Sequence, residues 1–298
     1  PKFRSAPVTQ IRTTMLAMTE VDDDKLDLDA DLSKLFGFKF RNPAYPKTAV
    51  TVRMLMTHSS GLHDVDKMYA YSLRRVASGS EFYTSQPGTS FLYSNLNFGI
   101  AGAVIEKTSG ESISLYAKEK FFDPMGIDAS YNAKYLSDKS LVANCYLAGK
   151  LERDNKTLTR DTDKGAPGEY FQLGQGGVLI SSVDLAKLFT LLLNEGTYEG
   201  KRYLSLSSVN EMLSVQGIAT KKDFQQCLGI RLYPHLIGER NLYYHNGSSY
   251  GIFALMAIDP SNNTGVIVIT SGAYSGRKAN TIFEVCDEIL TYCYEDIF

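Results

Sequence analysis

Residues 87–110 read PGTSFLYSNLNFGIAGAVIEKTSG. Pro87 and Gly88 open a turn, and Tyr93, Ser94 and Asn95 follow directly before an apolar stretch that Ser109 and Gly110 punctuate. The spacing predicts a helix from about residue 96, broken at Ser109–Gly110 and resumed to about 123. A phenol, a hydroxyl and an amide gathered at a helix start form a place where polar groups can meet a ligand. A lone YSN triplet in a loop is usually structural. Its setting between PGTSF and a helix makes it a candidate site.

Working outward, residues 8–20 (VTQIRTTMLAMTE) keep Val8, Ile11, Met15 and Met18 at helical spacing for one face toward a core. Pro7 falls in the first turn, where its missing N–H costs nothing. A further helix is predicted over 50–57, closed by HSSGL, in which Gly61 can take positive φ. Residues 183–194 form an amphipathic helix that Gly196 ends. After residue 200 the character changes. LYYHNG, IFALMAID and TGVIVIT are short β-branched and aromatic runs between turn residues, an antiparallel meander, followed by a helix at roughly 278–294. The fold class is therefore α+β: an antiparallel sheet flanked by helices plus an all-helical region, in one domain over 1–298. The helical region spans roughly 20–200, and the sheet region takes 1–19 and 201–298.

Composition narrows the partners. With 44 % hydrophobic residues and a net charge of -2, the chain carries no excess charge to attract nucleic acid or an anionic membrane. No run of 18 apolar residues spans a bilayer, so no membrane span is expected. A chain that starts at Pro1 leaves open a removed leader. Asp27, Asp29 and Asp31 mimic a calcium loop, but Leu32 stands where such a loop needs glycine. They read as a solvated turn, and no metal is expected. Cys145, Cys227, Cys286 and Cys293 form no CxxC pair and read as buried or free thiols. Cys286 and Cys293 share a helix face, about 10 Å apart at the 1.5 Å rise per residue, too far to bridge.

Four segments now carry a resemblance. TVRMLMTHSSGL (51–62), PGTSFLYSNLNFGIAGAVIEKTSG (87–110), GQGGVLISSVDLAKLFTLLLNEG (174–196) and YHNGSSYGIFALMAIDP (244–260) lie in the order found in one family. They resemble the serine β-lactamase and penicillin-binding protein family, which includes class C β-lactamases, DD-peptidases and esterases. The resemblance implies a β-lactamase/transpeptidase-like fold, an extracytoplasmic or secreted location, no cofactor, and a small-molecule or peptide ligand in a cleft. It maps the family's YxN motif onto Tyr93, Ser94 and Asn95, where a phenol beside a lysine relays a proton and Asn95 holds the substrate amide. It maps the KTG or HxG motif onto His245, Asn246 and Gly247, with Ser248 following. There His245 lines the cleft, the imidazole favours a substrate carboxylate, and the small Gly247 lets substrate lie along the strand edge. His58 reads as a structural residue positioning a turn; His63 and His235 carry no signal.

The first family motif, SxxK, is where this chain departs. Relatives read something like FRIASVSK, about 14 residues, then KLDLD. Here FRSAPVTQ (3–10) is followed by 14 residues and KLDLDAD (25–31). The alignment needs no gap and puts Pro7 at the serine and Gln10 at the lysine. Pro7 offers neither a hydroxyl to acylate nor an N–H to an oxyanion, and Gln10 cannot take a proton near neutrality. Loss of one oxyanion donor alone costs about 100- to 1000-fold in rate. Ser5 and Thr9 are the nearest hydroxyls, but Val8 and Arg12 occupy their i+3 positions, and arginine is a poor base.

The expected function is that of a non-acylating pseudoenzyme that binds D-amino-acid peptides, peptidoglycan-like fragments or small esters and amides in a retained cleft lined by Tyr93, Asn95 and His245. The alternative is an active serine-type hydrolase, a β-lactamase, D-peptidase or esterase, using another nucleophile. A third reading is an interaction module whose cleft is filled by some of the 19 tyrosines and 15 phenylalanines. Relatives also carry a helix and strands before SxxK, whereas Phe3 and Arg4 already adjoin the motif here. Those N-terminal strands read as missing, which would leave TGVIVIT as an exposed edge open to self-association.

Overall fold

Ile252–Asp259 is the strand on which the molecule is built. In the computed structural model, which describes residues 1–163, 165–171, 173–274, 276–278 and 280–298, all eight residues of this strand are buried. Ile252, Ala254, Met256 and Ile258 face a large core, and Phe253, Leu255 and Ala257 face a smaller one. The two-residue side-chain period of a strand, covered on both faces, produces that division.

In chain order, β1 (Phe3–Arg4) leads through a 3-10 turn at Ala6–Val8 into α1 (Thr9–Asp22). Then come α2 (Val52–Met56), α3 (Asn95–Ser109), β2 (Leu179–Ile180) and α4 (Ser182–Leu193). Five strands follow, β3 (Gln225–Gln226), β4 (Arg231–Ile237), β5 (Arg240–Ser249), β6 (Ile252–Asp259) and β7 (Thr264–Ser271), and then α5 (Glu284–Tyr292). β3 to β7 form one antiparallel sheet in the order β7-β6-β5-β4-β3. β1 pairs instead with β2, Phe3 opposite Ile180 and Arg4 opposite Leu179. Among the described residues no strand lies outside β7, so TGVIVIT is the edge of the sheet.

α1 is buried on all sides from Thr9 to Glu20, well beyond the apolar stripe its sequence shows. It packs against α3 and against the helix Leu206–Leu213. Three of its threonines bond backbone carbonyls: Thr13 Oγ1 donates to Gly174 at 2.7 Å, Thr14 Oγ1 to Gln10 at 3.1 Å and Thr19 Oγ1 to Leu16 at 2.8 Å. A hydroxyl so bonded can be buried at little cost. α5 covers the second face of β6, burying Phe283, Cys286 and Leu290 against Phe253 and Leu255. Each large apolar side chain so placed contributes about 1.5–3 kcal/mol.

The stretch at 96–123 is two helices as expected. α3 ends at Gly110 with φ +78°, and a helix at Ile113–Ala117 runs on into a π turn to Phe122. The terminal helix starts later than 278, at Glu284. Thr281 has φ +69°, and Asn280 Oδ1 accepts the Ile282 N–H at 3.0 Å, so a turn occupies the first residues. Position 279 of that expectation lies outside the described residues. The acidic stretch is a turn and ion pairs. Asp27 Oδ1 accepts the Asp29 N–H, while Asp29 pairs with Arg53 and Asp31 with Arg41. All four cysteines are free thiols.

Candidate functional site

The turn before α1, the loop before α3 and the middle of β5 meet at one point. Ala6 takes φ +50°, which turns the chain so that the Pro7 ring lies against β5. A Cβ built on Gly247 would stand 2.4 Å from Pro7 Cδ, closer than any real contact. The space beside Gly247, expected to take substrate along the strand edge, is therefore filled by the pyrrolidine ring. Glycine is needed there to admit the proline.

Gln10 is the hub. Its Nε2 donates to Tyr93 Oη at 2.7 Å, and its Oε1 lies 3.2 Å from Nε2 of both His58 and His245. The backbone N–H of Ser94 donates to His58 Nδ1 at 3.3 Å, and Asn97 Nδ2 lies at the same distance. Nδ1 of His58 therefore carries no proton, and Nε2–H is the donor to Gln10. An oxygen that accepts from two imidazoles fixes which end of the amide faces them. Burial, and then the charge of Arg231, hold both imidazoles well below their ordinary value of 6.5. They are neutral near pH 7.

His245 is only 2 % exposed and sits under Gln10, off the cavity wall, which corrects its expected place as a cleft residue. His58 does position a turn, with φ +54°. Its bond to Gln10 was not legible from the sequence. Tyr93 lies beside an amide where relatives place an ammonium. Burial is the dominant effect on its phenol, which rises to about 12. The phenol stays protonated, donating to Asn95 Oδ1 at 3.3 Å, and is no proton acceptor near neutrality. Asp64 completes the loop, accepting from Ser94 Oγ at 2.7 Å, Asn95 Nδ2 at 2.7 Å and the Leu96 N–H at 3.1 Å. A carboxylate on the first amides of α3 suits the positive end of a helix.

These residues border a cavity of about 300 Å³. Pro7, Tyr93, Asn95, Asn246, Gly247 and Ser248 line it together with Lys222, Arg231, Arg277, Phe91, Phe224 and Thr281. Among the described residues the wall holds three cations and no carboxylate. Arg231 is buried, with its guanidinium 4.7 Å from the ring centre of Phe224 and 5.6 Å from that of Tyr93. Its Nη1 is 3.5 Å from Asn246 Oδ1, and Asn246 Nδ2 donates to the Thr281 carbonyl at 2.7 Å. Sequence reasoning missed Arg231, although a charge inside the apolar run Gly229–Tyr233 was a visible signal. Lys222 and Arg277 sit in loops and gave none.

Ser5 and Thr9, the hydroxyls on either side of Pro7, are both 0 % exposed. Ser5 Oγ donates to the Val178 carbonyl at 3.1 Å, meets Thr9 Oγ1 at 3.0 Å and accepts from Arg12. Arg12, lowered by burial to about 10, remains a cation at neutral pH. Neither hydroxyl lines the cavity beside Tyr93. Among the described residues no cluster of three or more His, Cys, Asp or Glu is placed to hold a metal ion.

Comparison with known proteins agrees with this architecture. The chain is 26 % identical to penicillin-binding protein 4 of Amycolatopsis lactamdurans over 99 % of this chain and 79 % of that one. It is 31 % identical to the lovastatin esterase of Penicillium rubens over 64 % of this chain and 55 % of the relative. In structure it matches the D-amino acid amidase of Ochrobactrum anthropi SV3 with a TM-score of 0.73 and 19 % identity, over 99 % of this chain and 83 % of the amidase. The octameric penicillin-binding protein homologue of Pyrococcus abyssi matches with a TM-score of 0.70 and 23 % identity, over 91 % of this chain; the chain spans 62 % of that protein. At such identities the two structural matches speak for the fold alone. The family model described as Beta-lactamase matches residues 2–286, and the chain belongs to that family.

Proposed function

We propose that this protein is a non-acylating member of its family that binds a carboxylate-bearing ligand, a D-amino-acid peptide, a peptidoglycan-like fragment or a small ester or amide with an acidic group, in the cavity beside Tyr93. One observation carries the reading. Pro7 and Gln10 stand where the resemblance puts nucleophile and base, while among the described residues Lys222, Arg231 and Arg277 line the cavity beside Pro7 and no carboxylate does. A buried guanidinium without an anion is costly, and a ligand carboxylate supplies the partner. Asn246 and Ser248 would bond the ligand's amide. The D-amino acid amidase and penicillin-binding proteins that the fold resembles support the choice of ligand class.

The test has two arms. N-acetyl-D-Ala-D-Ala should raise the melting temperature of the parent chain in a saturable way, less so for Arg277→Gln. Incubation with a fluorescent penicillin followed by denaturing mass spectrometry should show no adduct. A stable adduct on the parent would overturn the non-acylating assignment, and no shift with the peptide would overturn the ligand. Pro7→Ser with Gln10→Lys should gain ester hydrolysis that neither single change gives. That pair must also disturb the histidines, because both donate toward position 10.

A further inference from the structure

A second cavity, of about 240 Å³, is bordered by Arg4 of β1 and Leu179 of β2. Arg4 and Arg160 line it, with Thr162, Gln175 and a set of tyrosines that includes Tyr131 and Tyr250. It shares no residue with the Tyr93 cavity. Three of the residues lining this space each carry a buried polar atom without a hydrogen-bond partner among the described residues: Arg4 Nε, Thr162 Oγ1 and Gln175 Oε1. Gln175 is itself only 9 % exposed. A buried polar atom left unbonded costs about 1–3 kcal/mol, so three around one void are the mark of an unfilled site rather than of random packing.

The charge on the wall has one sign. Among the described residues Arg4 has no carboxylate partner and is held over the Tyr250 ring at 5.5 Å. Arg153 stands over the same ring at 4.2 Å. Behind the wall, Arg12 is buried, its Nε and Nη1 are unbonded, and it acts on the Tyr131 phenol. Asp161 and Asp163, the carboxylates next to Arg160 in sequence, are taken up by Lys134.

We propose that this cavity is an oxyanion-binding site, taking a small organic carboxylate or a phosphate. Arg4 and Arg160 supply the charge, Thr162 donates to an anion oxygen, and the Gln175 carbonyl accepts from a ligand hydroxyl or amide. The space equals roughly eight water volumes at about 30 Å³ each, enough for a short diacid. The site stands whether or not the Tyr93 cavity binds a ligand.

Calorimetric titration of the full chain with glutarate, inorganic phosphate and neutral glutaramide at low salt tests it. The expected result is saturable binding of glutarate or phosphate, and none of glutaramide. The stronger of the two anions names the source of the oxyanion. Arg160→Gln changes an exposed side chain and should weaken that binding about 10-fold or more, the effect of removing one charge-assisted bond. Gln175→Leu should weaken glutarate less and leave the melting temperature near the parent's. Lys201→Gln, an exposed change lining neither cavity, should leave the binding unchanged. No saturable binding of either anion overturns the proposal. So does equal binding of glutaramide, or parent-like binding in Arg160→Gln.

Discussion

Lowering the pH from 7.5 to 5.5 should destabilise this protein through two histidines that sit too deep to be protonated. His58 and His245 are neutral in the folded chain because burial and Arg231 depress their pKa. In the unfolded chain each titrates near 6.5. The unfolded state therefore binds more protons as pH falls through 6.5, and stability present above that value is lost below it. Over this interval each histidine contributes about 1.4 kcal/mol of loss, and the pair about 2.7 kcal/mol. The paired carboxylates Asp29 and Asp31 have pKa values lowered from 3.8 and act only at lower pH. Glu106, raised by burial, works in the opposite sense, so the clean quantity is a difference between variants. Urea unfolding of the parent and of His245→Gln at both pH values gives it. The variant keeps an N–H toward Gln10 and should lose about 1.4 kcal/mol less than the parent on acidification. Equal losses in parent and variant would refute a neutral, buried His245.

Two further outcomes follow from the same geometry. Gln10→Leu strands two buried imidazole N–H groups at about 1–3 kcal/mol each, partly offset by the added apolar burial, and should cost about 2–4 kcal/mol in urea unfolding. A cost under about 1 kcal/mol would mean that the histidines find other acceptors. Gly247→Ala forces a methyl onto the Pro7 ring and should cost about 1–3 kcal/mol. Adding Pro7→Ala should restore at least half of it, a coupling measured by a double-mutant cycle.

The strands and most helices were legible because their periods are local. The unbroken apolar run in IFALMAID, bounded by turn residues, marks a strand wherever it lies, although only the fold shows what covers each face. The helix expected at 278–294 was over-extended because Thr281 and Asn280 build a turn that propensity does not announce. Tyr93, Asn95, Asn246, Gly247 and Ser248 could be placed only through the resemblance of their segments to family motifs, and the structure brings them to one cavity. The hub could not. That Gln10 would receive His58 from 48 positions away and His245 from 235 is a property of packing. Asp64 escaped for the same reason, because a single charge in a loop has no periodicity to betray its partner; Arg231 was visible as a charge in an apolar run, but what it faces was not.

The contact between Pro7 and Gly247 has a mechanical consequence. A serine at that place would leave the first turn of α1 and strand β5 separated by a gap that a substrate enters. Here a rigid ring spans it, and the two walls of the cleft are braced against each other. A braced wall gives up little conformational freedom when a ligand arrives, so less of the contact energy is lost to ordering. It also cannot spread to admit a bulky group. On the proposed reading, Pro7 would then set the aperture, and ligands would be selected by how well they fit a mouth that does not move.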